Sequence, residues 1–157
     1  MTEPVAVPDT FILERHFARE PAKVFAALAD PAKKRRWHGE HPNHEILEYT
    51  TEFRVGGKEH WRFRMAAGTP IAGKELTNDG VHLDIVPDSR VVLAYAMAMD
   101  GRTFSASLVT FELSARGTGT GLTLIHQGMF FDGADGPQMR KGGWSVLLDK
   151  LGASLAH

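Results

Sequence analysis

Residues 15–37 read RHFAREPAKVFAALADPAKKRRW, and this stretch decides the fold because a strand in it runs directly into two short helices. The strand begins upstream, where Phe11, Leu13, Arg15 and Phe17 occupy alternate positions, the period of a strand with one more apolar face. Arg15 is therefore predicted on the inner face. We expect it to pair with a carboxylate of the protein, because an unpaired buried charge is costly.

Proline and aspartate mark the starts of the two helices. Pro21 suits the first turn of a helix, because its missing N–H group needs no partner there. Asp30 followed by Pro31 repeats this signal, since the Asp30 side chain can cap a second helix that runs to Trp37. The basic run within that helix, residues 33–36, is interpreted as a solvated face.

The middle of the chain alternates apolar and polar residues with period two, which predicts successive strands with one buried face. Glycine, proline and aspartate separate the apolar runs and are typical of turns. One such segment, residues 117–121, joins two strands and opens no helix, so it predicts a hairpin and not a phosphate-binding loop. The apolar faces comprise Trp61, Phe63 and Met65; Val81, Leu83 and Ile85; alternate residues from Val91 to Met99; Val109, Phe111 and Leu113; and Leu122, Leu124, His126 and Phe130.

A long helix is predicted from Pro137 to the end of the chain. Trp144, Leu151 and Leu155 recur there at helical spacing and belong to a broad apolar face. The fold class is therefore α+β, with one domain over residues 1–157. In it a curved antiparallel sheet surrounds a long C-terminal helix, and two short helices follow the first strand.

The composition excludes several classes of function. The chain has 157 residues, no cysteine and a formal net charge of −1. It therefore has no disulfide, thiolate metal site or cysteine nucleophile, and its balanced charge predicts no nucleic-acid partner. No apolar run approaches the ~20 residues that span a bilayer, and the Met-Thr-Glu-Pro start lacks the features of a secretory signal. We expect a cytoplasmic protein whose partner is selected by shape.

Five segments carry a resemblance to a known family. They are the opening stretch to Trp37, Phe53-Arg-Val-Gly-Gly57, Asp84-Ile-Val-Pro87, Gly119-Thr-Gly-Leu-Thr-Leu and the helix that contains Gly143-Trp144. In these the chain resembles the helix-grip superfamily, also called START-like or SRPBCC. Within it, the chain is most similar to bacterial homologues of the activator of heat-shock protein ATPase, the Aha1-like proteins. The resemblance covers nearly the whole chain and implies a sheet and helix that enclose a cavity for a lipophilic ligand. It implies no catalytic motif.

The leading functional prediction is a binding module for a small hydrophobic or lipid-like molecule, without cofactor or metal. Small-molecule sites are mostly apolar with a few polar groups, and flexible methionines adapt to varied ligand shapes. The predicted ligand-binding residues are Trp61, Phe63, Tyr95, Met97, His126, Phe130, Met139, Trp144 and Leu147.

Two other functions stay open. An enzyme of the polyketide cyclase or hydrolase kind would use His126 and Tyr95 as an acid and base pair in the same cavity. A core histidine satisfied by a neighbour is the competing interpretation of His126. A cofactor that activates a chaperone ATPase would act through its surface. The sequence also leaves open a homodimer and the identity of the ligand.

Two local clusters complete the list of candidates. His38, His41 and His44 lie close in sequence and could hold zinc, but Pro42 interrupts the helix that their spacing would need. We interpret them as loop residues, and whether they bind a metal stays open. The loop that contains Asp132 and Asp135 does not match a calcium site and is predicted to gate the mouth of the cavity.

Overall fold

The structure, a computed structural model, describes residues 6–156 and contains one seven-stranded antiparallel sheet that surrounds a long helix. The predicted α+β helix-grip fold is therefore confirmed. The N-terminal Met-Thr-Glu-Pro segment lies outside the described residues. The elements in chain order are β1 (Val7–Phe17), α1 (Pro21–Ala29), α2 (Pro31–Lys34), a π-helical turn (Arg35–Gly39), β2 (His44–Thr51), β3 (Lys58–Met65), β4 (Glu75–Val86), β5 (Arg90–Met99), β6 (Arg102–Arg116), β7 (Gly119–Phe130) and α3 (Pro137–Ser154).

The sheet follows chain order except at its first strand. Strands β2 to β7 form a meander in which each strand pairs with the next, and β1 pairs with β7 from Val7 opposite Phe130 to Phe17 opposite Thr120. Helices α1 and α2 therefore carry the chain from one edge of the sheet to the other. This crossing places the π-helical turn beside the first half of α3, where it forms one wall of the site described below.

The predicted cap of the second helix is confirmed. Asp30 Oδ1 accepts hydrogen bonds from the backbone N–H groups of Ala32 at 2.9 Å and Lys33 at 3.3 Å, so it caps α2. Trp37 at the end of the stretch is almost fully buried, and its indole N–H donates to the carbonyl of Ala27 at 2.8 Å. This bond connects α1 to the π-helical turn.

The interpretation of residues 33–36 as a wholly solvated face is wrong at one position. Lys34 is 8% exposed, and its ammonium lies 2.8 and 3.0 Å from the two carboxylate oxygens of Glu59 on β3. Lys33, Arg35 and Arg36 are exposed as predicted. Lys34 therefore points toward the sheet, whereas the Trp37 indole points toward α1.

Arg15 forms the intramolecular pairing that its position on the inner face predicted. Its guanidinium donates to Asp149 Oδ1 at 3.1 Å and to the hydroxyl of Ser145 at 2.8 Å, both on α3. The main core lies between α3 and the sheet, where Trp144 and Leu148 are buried. In the described part of the chain no helix is long and apolar enough to cross a membrane.

Candidate functional site

A pocket of about 450 Å³ opens between the first half of α3 and strands β3 to β5. The π-helical turn and the residues that follow it close one side. The apolar part of its wall consists of Phe63, Met65, Leu76, Met97, Trp144, Val146 and Leu147, and the polar part of His38, His41, Asn43, His44, Asn78, Tyr95, Asp135 and Arg140. Gly142 and Gly143 of α3 complete it.

The structure brings five of the nine predicted residues together at this pocket: Phe63, Tyr95, Met97, Trp144 and Leu147.

Three of the other four lie behind the wall. Trp61 is fully buried and stacks on the ring of Tyr49, with ring centroids 3.7 Å apart. His126 is 0% exposed and lies behind Tyr95. The central guanidinium carbon of Arg140 lies over the ring of Phe130, 5.0 Å from the centroid of that ring. These three support the wall and do not line it.

Met139 lies outside the pocket and is 71% exposed. It precedes Trp144 by five residues, whereas residues four apart share a face of a helix. The position four residues before Trp144 is Arg140, which is buried and lines the pocket. Helical spacing counted back from Trp144 would have identified Arg140 from the sequence.

The hydroxyl of Tyr95 is the centre of a buried hydrogen-bond network. Arg140 Nη1 donates to it at 3.1 Å and the Trp144 indole N–H at 3.3 Å, while His126 Nε2 lies 2.7 Å away. Since the hydroxyl accepts from two donors, its own proton is directed to His126 Nε2. The neutral His126 ring then carries its proton on Nδ1, which has no hydrogen-bond partner among the described residues.

The surroundings of His126 disfavour its charged form. Burial, reinforced by the Arg140 charge and opposed by that of Asp135, lowers its pKa from the usual 6.5 to about 4. The ring of Phe11 stacks on the ring of His126, with the two centroids 4.6 Å apart and the two planes 5° from parallel. His126 is therefore a neutral core histidine that joins β7 to β5.

Arg140 has no N–H group left for a ligand. Its Nε and Nη2 atoms both donate to the Asp135 carboxylate at 2.8 Å, and Nη2 also donates to Ser105 at 2.9 Å. Nη1 donates to Tyr95 and, at 3.4 Å, to Ser107. These contacts use all five guanidinium N–H groups, and Asp135 neutralises the charge. Asp135 thus holds its loop against α3.

The interpretation of the three clustered histidines as loop residues is wrong for two of them. His38 lies in the π-helical turn and His44 begins β2, and all three line one side of the pocket. His44 Nε2 bonds to the Gly39 carbonyl at 2.5 Å, and His41 Nδ1 accepts from the backbone N–H of Asn43 at 3.0 Å. Burial, reinforced by the Lys34 charge, lowers the pKa of His38 to about 3. Among residues 6–156 no three histidine or carboxylate side chains are placed to hold a metal ion.

The buried Lys34–Glu59 pair supports this wall of the pocket. Glu59 also accepts from the Trp61 indole N–H at 3.2 Å and from the Thr51 hydroxyl at 3.1 Å. The Trp61 ring in turn stacks on His38, with centroids 5.0 Å apart. The ion pair therefore positions the aromatic ring on which a pocket residue rests.

Comparison with solved structures shows close likeness over the whole chain. The crystal structure of the Mll3558 protein from Rhizobium loti is 41% identical, with a TM-score of 0.85, and the alignment covers 95% of this chain and 98% of that one. An uncharacterised protein from Rhizobium leguminosarum is 34% identical, with a TM-score of 0.88 and 99% of both chains covered. Protein CV1439 from Chromobacterium violaceum is 26% identical, with a TM-score of 0.74 and 93% and 96% covered.

Comparison with families gives a match over most of the chain. Residues 18–156 match the family described as Activator of Hsp90 ATPase homolog 1-like protein. This span includes the second part of the opening stretch and every element from α1 to α3. No curated protein matches the chain.

Proposed function

The chain belongs to the Activator of Hsp90 ATPase homolog 1-like family, and on this premise we propose that it binds a small, neutral and largely apolar molecule in the pocket between α3 and the sheet. The family fold supports a ligand-binding role. The pocket of about 450 Å³ falls within the size range of small-molecule sites and has the mixed wall that such sites have.

Two adjacent glycines in the middle of α3 carry the proposal. Gly142 and Gly143 line the pocket, and a Cβ atom added to either would meet nothing within 4 Å beyond its sequence neighbours and the nearby backbone of α3. Neither has a positive φ, so the backbone requires glycine at neither position. Glycine inside a helix is about 1 kcal/mol less favourable than alanine. The helix forgoes this stability at the two positions where larger side chains would narrow the pocket.

The charges of the wall favour a neutral ligand. All five N–H groups of Arg140 are bonded within the protein, and Asp135 balances its charge. His38 and His44 both have pKa values lowered by burial, so they are neutral at pH 7. A charged ligand would therefore lose its hydration without gaining an ionic partner. Asn78 and the neutral histidines can hydrogen-bond a carbonyl or hydroxyl group.

We expect Gly143→Ala to stabilise the protein. The added methyl group meets open space, and alanine restricts the unfolded chain, so the free energy of unfolding should rise by about 0.5–1 kcal/mol. For a chain of this size the melting temperature should rise by about 1–4 °C. Thermal unfolding followed by circular dichroism measures this shift, and a decrease would mean that the helix needs glycine for another reason.

Gly143→Leu should weaken binding strongly without loss of the fold. The neutral dye Nile red serves as the probe, and its fluorescence titration gives the affinity of the wild-type protein and of the variant. The leucine side chain occupies the pocket, and we expect the dye to bind at least tenfold more weakly. Lys141→Leu places the same side chain two residues earlier, at an exposed position that does not line the pocket, and should leave the affinity unchanged.

Two results would contradict the proposal. One is equal dye affinity of Gly143→Leu and wild type, since the dye would then bind elsewhere. The other is a wild-type protein that neither binds the dye nor carries a lipophile in native mass spectra. Met97→Trp offers a second obstruction from the opposite wall, on β5, and should weaken binding even if the α3 variant is unstable.

The enzyme alternative requires a different hydrogen-bond pattern from the one observed. An acid and base pair must exchange a proton with a ligand, but the Tyr95 proton is directed to His126, which is buried behind the pocket wall. The name of the matched family supports the third alternative, a chaperone cofactor. Stimulation of the ATPase of a chaperone from the same cell would support it, and no contact among residues 6–156 favours it over ligand binding.

A further inference from the structure

A second cavity, of about 640 Å³, lies between the helices α1 and α2 and the last two turns of α3. It shares no lining residue with the pocket of the proposed function, which uses the first half of α3. We call this second cavity the basic groove, because half of its lining residues are cationic: Arg19, Lys23, Lys33, Arg36 and Lys150.

The basic groove concentrates positive charge in a chain that is nearly neutral overall. Five of the 18 lysine and arginine residues line it, and no aspartate or glutamate does. Within residues 6–156 none of the five forms an ion pair. Like charges in one cleft repel each other and attract an anion from solution.

Two carboxylates near the groove are already occupied. Asp30 caps α2, and the Glu40 carboxylate pairs with Arg35 at 3.5 Å. The carbonyls of the last turn of α3 accept from the N–H groups of residues 155 and 156. Lys150 donates to the backbone carbonyl of Glu40, a contact that fixes its side chain without neutralising it. No ion pair among residues 6–156 therefore balances the charge of the groove.

The floor of the groove is apolar and well fixed. Trp37 is 1% exposed, Ala27 and Leu155 are also buried, and the bond from the Trp37 indole to Ala27 holds the floor in place. A bare inorganic ion would leave this floor unused. A molecule with an anionic group and a flat or short apolar part would contact both the rim and the floor.

We propose that the basic groove binds an organic phosphate monoester with an aromatic or short aliphatic group. A phosphate dianion balances several of the five cations at once, and arginine can bind two of its oxygens together. The apolar group lies against the exposed Ala153 and against Leu155, since Trp37 at 1% exposure offers almost no surface of its own. Two sources share this chemistry, a free phosphate ester and the phosphate headgroup of a lipid.

The test uses 1-naphthyl phosphate and compares it with 1-naphthol and inorganic phosphate. By isothermal titration calorimetry the ester should bind at least tenfold more tightly than either, and its affinity should fall as salt is raised from 50 to 500 mM, because salt screens exposed charges. In nuclear magnetic resonance spectra the indole N–H signal of Trp37 should shift, and that of Trp144 in the other pocket should not.

The variant Lys33→Gln/Arg36→Gln removes two exposed rim charges and should weaken binding of the ester at least tenfold with an unchanged melting temperature. Lys141→Gln removes an exposed charge of α3 outside the groove and should have no effect.

Vesicles of phosphatidylcholine with and without phosphatidic acid distinguish the two sources of the phosphate group. If the protein sediments with the vesicles that contain phosphatidic acid but not with pure phosphatidylcholine, and the double variant does not, the ligand is a lipid headgroup. If the protein binds the soluble ester but neither kind of vesicle, the ligand is a free ester. Binding of neither, or equal binding by wild type and double variant, overturns the proposal.

Discussion

Replacing Lys34 by methionine should lower the free energy of unfolding by about 3–5 kcal/mol, because the change leaves the Glu59 carboxylate buried without its cation. Both side chains are less than a tenth exposed, and the ammonium contacts both carboxylate oxygens. Burial by itself would raise the pKa of Glu59, but the charge of Lys34 and hydrogen bonds from Lys34 and Trp61 outweigh it and hold that pKa well below its usual range. Urea unfolding followed by tryptophan fluorescence measures the loss.

Two further variants separate the effect of burial from that of removing any ion pair. Lys34→Met/Glu59→Gln removes both charges; the glutamine oxygen can still accept from the Trp61 indole N–H and its NH₂ group can donate to the Thr51 hydroxyl, so most of the lost stability should return. Arg54→Met breaks an exposed pair with Glu52 whose atoms are 2.7 Å apart and should cost less than about 1 kcal/mol. A loss in Lys34→Met no greater than in Arg54→Met would show that the buried pair is not what holds this wall.

The ion pair explains why Lys34 is buried although the basic run of α2 predicts an exposed face. A run of four basic residues is usually an exposed face, and three of the four are exposed here. The partner of the fourth, Glu59, is 25 residues away on β3, and only the tertiary fold brings the two together. Periodicity within α2 contains no information about that pairing.

The fold depends on local patterns and was therefore predictable. The alternation in β1, the cap at Asp30 and the helical spacing of Trp144 and Leu151 each report on neighbours a few residues away, and their sum indicates the sheet and its helix. Sequence reasoning also identified the inner faces of β3 and β5. It could not distinguish a side chain that lines the pocket from one that supports it, as Phe63 and Trp61 on one face of β3 illustrate.

Lowering the pH from 6.5 to 4 should remove roughly 2–3 kcal/mol of stability through His126 alone. Its pKa in the folded protein is about 4, below the 6.5 of the unfolded chain, so the unfolded chain binds a proton that the folded protein does not. Stability from this group is fully present above pH 6.5, falls by up to about 1.4 kcal/mol per pH unit, and levels off below pH 4. Protonation would place a cation beside Arg140 and end its acceptance of the Tyr95 proton.

A histidine variant isolates this contribution from those of His38, His44 and His82, whose pKa values are lowered in the same direction. His126→Gln removes the titrating group, so its unfolding free energy should fall less steeply between pH 6.5 and 4 than that of the wild type, whatever its stability at pH 7. His16→Gln makes the same substitution at an exposed histidine and serves as the matched control. Equal slopes for wild type and His126→Gln would mean that the Tyr95–His126 bond tolerates the charged ring, and the directed proton from Tyr95 would then be the wrong assignment.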